Sequence, residues 1–248
     1  MTYRICGLIP CYNNRETIRD VAEQMRDELG DVIIVDDGSN RATKEVLEEL
    51  SADGFEVVTR PENGGKGAAV KTGFEAARER EFTHAFQVDG DGQHDLDRVP
   101  DFAEASRRSP EALLLGCPRF DDSAPLGRRI GRKITQFWTH VETLRPVIVD
   151  PMCGFRVYPV ASALAADARG DHMEFDIEVA VKMVRLGVPV ENLPVDVRYL
   201  DEEEGGISHF RMFADNVAIS WAHTRLVCSL VPWLLRRLVG RSERRQLE

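Results

Sequence analysis

Residues 4–37 read RICGLIPCYNNRETIRDVAEQMRDELGDVIIVDD, and the reading of this stretch decides the fold. Arg4–Ile9 is a short apolar run with strand character. Behind it, Ile18, Val21, Ala22, Met25 and Leu29 recur at i, i+3, i+4, i+7 and i+11, the spacing of one helix face. Asn13 and Asn14 supply the expected cap and Gly30 the stop. Val32–Val35 then reads as a second strand, so the stretch spells strand, helix, strand.

The same rhythm continues outward. Phe55–Val58, Ala85–Val88 and Leu113–Leu115 read as further strands separated by amphipathic stretches, which predicts βαβ units. The expected class is α/β: a Rossmann-like, mainly parallel sheet flanked by helices, with a C-terminal amphipathic helix. Past residue 116 the rhythm changes. A basic segment (119–145) leads to a turn at Pro151–Gly154, a helix around Phe175–Leu186, a strand near Val195–Tyr199 and an acidic loop, 201–204. We read this as an elaboration on one core: a domain over 1–207, made of a ligand-binding half (1–116) and a second half (117–207), followed by a tail over 208–248.

Composition excludes several classes. With 43% apolar and 30% charged residues among 248, the chain is neither disordered nor collagen-like. Its 32 basic and 42 acidic residues leave a net charge of −10, which argues against nucleic acid as a partner. The five cysteines (Cys6, Cys11, Cys117, Cys153, Cys228) never form a CxxC pair, so neither a disulfide framework nor a zinc knuckle is expected, and a reducing cytosol fits. The first apolar run, Ile5 to Pro10, is too short for a secretory leader. Leu226–Leu235 would be about 15 Å long as a helix, half of the roughly 30 Å bilayer core, so no span is expected.

The tail has a character of its own. Phe210, Phe213, Val217, Trp221, Val227, Leu230, Leu234 and Leu238 fall at helical spacing interrupted by Pro232, and from Arg225 onward six arginines face two glutamates. One reading is an interfacial helix, on which each basic residue near an anionic leaflet contributes about 1 kcal/mol. The other is a helix packed on its own sheet with a solvated basic end. The first makes the protein peripheral on the cytoplasmic face of a membrane.

Chemistry is expected where strands end, because ligands of open α/β sheets bind outside the carboxyl ends of the strands. Four loops converge there: Pro10–Asn14, Asp36–Ser39, Asn63–Gly67 and Asp89–His94. Asp89 and Asp91, one glycine apart, repel by about 4 kcal/mol at about 4 Å and an effective dielectric of about 20. A hard dication would relieve that repulsion, since Mg²⁺ takes one or two carboxylates and fills its shell with phosphates and water. The amides of Gly64–Gly67 and Lys66 open a helical pattern and could hold an anion, while Asp36 and Asp37 could accept hydrogen bonds from a ribose or nucleobase.

Neighbouring residues exclude other motifs. An EF-hand from Asp89 would need glutamate where Pro100 stands. A haloacid-dehalogenase-type phosphatase carries its Asp-x-Asp after the first strand with threonine next, whereas here Gln93 follows the fourth strand. The glycine loop is no Walker motif, with Arg60 and Gly67 at its key places. His84 and His94 lack zinc-ligand spacing to other histidines or cysteines. Together, acceptors for a base or ribose, an anion loop and a carboxylate pair on one edge describe a nucleoside diphosphate bound through Mg²⁺ or Mn²⁺.

The ordered runs IPCYNN (9–14), IVDDGS (34–39), RPENGGKGAAVKTG (60–73), QVDGDGQHD (87–95) and DPMCGFRVYP (150–159) resemble family 2 glycosyltransferases of GT-A fold, in the branch of dolichyl-phosphate mannose synthase and the polyprenyl-phosphate glycosyltransferases. The resemblance covers roughly residues 3 to 212. It implies an inverting transfer of a sugar from a GDP- or UDP-linked donor to a lipid-linked acceptor such as polyprenyl phosphate. It further implies that Pro10, Tyr12, Asn13, Asp36, Asp37, Lys66, Asp89 and Gly90 line the nucleotide-sugar site and that Asp89, Asp91 and Gln93 hold the metal. Arg119, Arg128 and Arg132, with Arg129 and Lys133 nearby, would take the acceptor phosphate. Were the acceptor a hydroxyl, a carboxylate base would be needed, and Asp150, Asp176 and Glu178 are the candidates. Asn14 stands where the family usually has glutamate, and Ser208-His209 where a Ser-Lys pair is common. A nucleotidyltransferase or phosphatase on a similar sheet, and a non-catalytic relative, are the other readings; the oligomeric state is left open.

Overall fold

The structure is a computed structural model that describes residues 2–119, 126–196, 212–235 and 238. Strand β1 (Ile5–Cys11), helix α1 (Ile18–Leu29) and β2 (Val32–Asp36) form the expected first unit. Then follow α2 (Arg41–Ala52), β3 (Glu56–Thr59), α3 (Lys66–Glu79), β4 (His84–Gln87), α4 (Val99–Arg108) and β5 (Leu113–Arg119). The second half contributes α5 (Leu126–Thr143), β6 (Arg156–Pro159), α6 (Val160–Ala165), α7 (Phe175–Leu186), β7 (Val190–Asp196) and α8 (Met212–Cys228).

The seven strands lie in the order β3-β2-β1-β4-β6-β5-β7, and all pairs are parallel except the two that β6 makes. One apolar layer, with Leu8, Val70, Phe74, Tyr158 and Phe175, joins α3, α6 and α7 to the sheet. The other, with Ile9, Ile18, Met25, Phe86 and Phe102, lies under α1, α2 and α4. Burial on both faces explains why Val32–Val35 reads as a continuous apolar run.

Three elements depart from expectation. Neither asparagine caps α1: Thr17 holds the cap position without a side-chain bond. Asn14 Oδ1 instead accepts from the Tyr12 amide at 3.0 Å, and Asn13, at φ 59°, accepts from the Asn40 amide at 2.7 Å. Short polar side chains tolerate the left-handed region and serve the turns rather than the helix. The last described strand begins at Val190, five residues ahead of the expected Val195, because it is placed by seven parallel pairings with β5 that run from Leu113↔Val190 to Arg119↔Asp196; residues 197–199 of the expected strand lie outside the described residues. Strand β6 is the third departure, four residues with no signal of their own, inserted antiparallel between β4 and β5. The acidic loop 201–204, Ser208-His209, Phe210 and the tail arginines from Arg236 onward lie outside the described residues.

The antiparallel insertion has a functional consequence. With Gln87 opposite Arg156, the turn that precedes β6 is delivered to the carboxyl end of β4, directly beside Asp89.

Candidate active site

On the β2 side, Asp36 and Asp37 are almost wholly buried. Asp36 Oδ1 accepts from the Ser39 amide at 2.9 Å, and its Oδ2 has no hydrogen-bond partner. Asp37 is fully engaged: it accepts from Arg60 Nε at 2.7 Å and from the amides of Gly64 and Gly65 at 3.1 and 2.7 Å. A free acceptor for ribose was expected at Asp37, but its carboxylate is spent on shaping the glycine loop, because parallel β2–β3 pairing brings Arg60 to the strand end. Gly65 sits at φ 99°, and a Cβ there would strike His172. Pro10 and Tyr12 are half-buried beside this loop cluster. The backbone of Asn13 is tied to Ser39 Oγ at 3.0 Å, and a Cβ on Gly90 would come within 3.2 Å of the Pro10 carbonyl, so the β1, β2 and β4 loops adjoin.

The centre of the edge is an ion cluster. Lys66, the first residue of α3, places Nζ 2.7 and 3.0 Å from the two oxygens of Asp89 and 2.9 Å from Asp176 Oδ2. Burial disfavours the ammonium, but Asp176 and Asp89 outweigh burial and hold it charged above the ordinary lysine range. Burial likewise opposes ionisation of Asp89, yet Lys66 and then His94 keep its carboxyl well below the usual carboxylate range. Lys66 neutralises part of the charge for which the sequence suggested a dication between Asp89 and Asp91. His94, expected at the surface or behind a site, is half-buried with its ring turned inward, Nε2 lying 3.7 Å from Asp89. His84 is a core histidine that bonds the Pro110 carbonyl at 2.7 Å.

Gly154 is a residue whose role sequence reasoning missed. A Cβ there would collide with the Asp89 carboxylate, so the turn before β6 must present a bare Cα to it. Arg156, with no exposed surface, locks that turn by donating to the carbonyls of Cys153, Pro151 and Asp176 at 2.5, 2.7 and 2.6 Å. The residues were visible in the run DPMCGFRVYP; nothing in that run said what they would pack against.

Among the described residues no cation pairs with Asp91. Its Oδ1 accepts only the Gln93 amide, at 3.1 Å, and its carboxyl is pushed up, first by burial and then by the Asp89 charge. Among the described residues no three metal-ligating side chains cluster. Two carboxylates of which one lacks a counter-charge do not form a closed cage, but they fit a hard dication that brings phosphate oxygens with it. Such an ion would sit on Asp91 and Asp89, with Gln93 adjacent. A separate cavity of about 640 Å³ lies between α1 and residues 92–97; Asp20, Asp95, Asp97 and Asp196 line it, and their charge disfavours a diphosphate.

On the β5 side, Arg119 ends β5 at the same carboxyl edge and Arg128 lies in the first turn of α5; their side chains are outside the described residues. Arg132 is not the free cation expected. It pairs with Asp150, whose other oxygen accepts the amides of Met152 and Cys153 at 2.9 Å each. The three carboxylates considered as bases are all committed: Asp150 to this turn, Asp176 to Lys66, and Glu178 to Lys182 at 2.8 Å and the Gly170 amide at 2.9 Å.

Residues 7–162 match the model of glycosyl transferase family 2. "Glycosyltransferase AglJ" of Haloferax volcanii is 27% identical over 77% of this chain, and the match spans 61% of that protein. The undecaprenyl-phosphate mannosyltransferase of Micrococcus luteus is 25% identical over 77% of this chain and 82% of its own length. In three dimensions, glucosyl-3-phosphoglycerate synthase of Mycobacterium tuberculosis, crystallised with Mn²⁺ and UDP-glucose, covers 93% of this chain and 79% of its own, with a TM-score of 0.66 at 16% identity.

Proposed function

Because the chain belongs to glycosyl transferase family 2 and its sheet is that of the GT-A fold, we propose that it moves a sugar, with inversion, from a UDP- or GDP-linked donor to a lipid phosphate such as polyprenyl phosphate. The observation that carries this reading is the ion cluster at the carboxyl edge, where Lys66 is shared by Asp89 and Asp176 while Asp91 has no paired cation among the described residues. Mannosyl transfer to undecaprenyl phosphate by a relative supports the acceptor class.

The nucleotide would lie over Pro10, Tyr12, Asn13 and Asp36, with the loop that Asp37 braces closing under it. Lys66 and Gly90 would flank the diphosphate. When bound, Mg²⁺ or Mn²⁺ on Asp89, Asp91 and Gln93 would stabilise charge on the leaving diphosphate as a Lewis acid, worth several kcal/mol. Lys66 orients Asp89 toward that site and Gly154 gives the carboxylate room. An acceptor phosphate is anionic at neutral pH and needs no base, which accords with the engagement of Asp150, Asp176 and Glu178 elsewhere. Arg119 and Arg128 are the residues we assign to that phosphate; Arg132, neutralised by Asp150, would act by holding the 150–153 turn. The enzyme would work on the cytoplasmic face of a membrane, its basic C-terminal segment contributing to attachment.

The test is a donor panel, UDP- and GDP-sugars with Mn²⁺, against undecaprenyl phosphate and against a glycolipid with a free hydroxyl. A glycosyl phospholipid together with released nucleoside diphosphate is expected. Release of pyrophosphate or inorganic phosphate instead would identify a nucleotidyltransferase or phosphatase, and transfer to the hydroxyl alone would remove the lipid-phosphate acceptor.

A further inference from the structure

The guanidinium of Arg156 joins two segments at the active-site edge. Its Nε and Nη2 donate to the carbonyls of Cys153 and Pro151, in the turn whose Gly154 abuts Asp89. Its Nη1 donates to the carbonyl of Asp176, in the first turn of α7. Asp176 is also the residue whose carboxylate holds Lys66. One planar group therefore grips the backbone behind both of the carboxylates that Lys66 bridges. Burying a charge is costly unless it is paired or hydrogen-bonded throughout, and the contact with the Asp176 carboxylate is long, 3.9 Å from Nη1 to Oδ1. Gln87 faces Arg156 across the β4–β6 pair and is equally buried, yet its side-chain amide has no hydrogen-bond partner among the described residues. The buried charge is thus held chiefly by carbonyls, and those carbonyls belong to the two segments that set the span between Asp89 and Asp176.

We propose that Arg156 is a positioning residue: from beneath the site it fixes the separation of Asp89 and Asp176 at the distance one ammonium can bridge, and so places Lys66 where the diphosphate of a nucleotide donor is received. This role rests on the transferase reading above. Lys66 Nζ lies 2.7 and 3.0 Å from the Asp89 oxygens and 2.9 Å from Asp176 Oδ2, so a displacement of about 1 Å at either end breaks a contact. A lysine in place of Arg156 would keep the charge but present a single point donor, which cannot hold three carbonyls from two segments in one plane. The end of the donor site assigned to base and ribose is built independently. Asn13 and Asp36 are fixed there by Ser39 and Asn40, with no hydrogen bond from Arg156. Loosening Arg156 should therefore fall on the diphosphate and spare the nucleoside.

Titration calorimetry of the full chain, at a temperature where every variant is folded, tests this with UMP and GMP on one side and UDP and GDP with Mn²⁺ on the other. Arg156→Lys should bind the monophosphates like wild type and the diphosphates with Mn²⁺ about tenfold more weakly, the loss of about one charge-assisted contact. Gly154→Ala, which leaves the arginine in place and crowds Asp89 from the same turn, should show the same split. Gln87→Met, a substitution at the same depth that frees no carbonyl, should bind both ligand classes like wild type. Wild-type diphosphate binding by Arg156→Lys overturns the inference, as does an equal loss for monophosphates and diphosphates, or a loss in Gln87→Met that matches it. A second readout needs no ligand: the protected ammonium resonance of Lys66 in ¹⁵N NMR, assigned by its absence in Lys66→Met, should be lost in Arg156→Lys, and its persistence unchanged overturns the inference. Should wild type bind neither nucleotide class, the transferase reading fails and the lysine resonance alone decides the role of Arg156. Should wild type bind both while Arg156→Lys changes neither affinity nor resonance, the positioning role fails and the transferase reading stands.

Discussion

Lys66 answers the buried Asp176 and the half-buried Asp89 with one ammonium, and its removal would leave Asp176 without that partner and Asp89 with His94 alone. Breaking such a buried arrangement by deleting one partner costs about 3–5 kcal/mol. Lys66→Met should therefore lower the melting temperature by about 10 °C, on a scale of about 2–4 °C per kcal/mol for a chain of this size. Scanning calorimetry would show it, and an unchanged melting point would mean that Asp89 and Asp176 find other partners. Asp91 behaves in the opposite way. Its raised carboxyl means that the fold disfavours the ionised form, so neutralising it relieves repulsion from Asp89. Asp91→Asn should leave the apo melting temperature equal or higher, yet abolish the Mn²⁺-dependent part of the nucleotide thermal shift. The candidate carboxylates were legible as residues because their spacing after a strand is unusual. Their division of labour was not, since Lys66 and Asp176 are 110 positions apart and meet only in the folded chain.

At the scale of elements, α7 acts as a brace between the active-site edge and α8. Its Asp176 holds Lys66, and two turns-facing contacts of Glu178, to the Gly170 amide and to Arg225 of α8 at 3.3 Å, tie both neighbours to it. Burial opposes ionisation of Glu178, but its bond to Lys182 and the backbone amides of residues 169 and 170 hold the carboxyl below the ordinary range. A lowered carboxyl contributes stability that is present above the ordinary carboxylate range and lost as pH falls through the folded value. Glu178→Gln should thus reduce the melting temperature at neutral pH, and its difference from wild type should shrink on acidification below about pH 4. A pH-independent difference would assign the effect to packing instead. Helix α1, with its strong period, was readable in sequence, and α7 was readable as a helix; β6 and most of β7 were not, because four- and seven-residue strands are selected by the neighbours they pair with.

For the molecule as a whole, the C-terminal segment divides into a structural part and a part that ends in arginines. Leu226 is buried, Arg185 bonds the Leu226 carbonyl at 2.8 Å, and Trp233 Nε1 donates to the Arg185 carbonyl at 3.1 Å. A cut before Arg225 would consequently remove core contacts and should destabilise the protein. A cut after Leu235 takes away five of the six tail arginines and should leave the melting temperature within about 1 °C, with weaker but measurable binding to anionic vesicles. Unchanged vesicle binding after that shorter cut would remove the tail arginines from the membrane contact.

The α/β class and the residue types that end the strands were legible in the residues alone, because hydrophobic period and turn chemistry are local properties that survive without tertiary context. Only the packed chain shows that Asp37 braces a loop, that Lys66 pairs with Asp89, that Gly154 abuts that carboxylate and that α5 turns its apolar side outward. Each of these is a contact between segments far apart in the chain. A periodic pattern states which residues share a face; only the packed molecule states whether that face looks in or out.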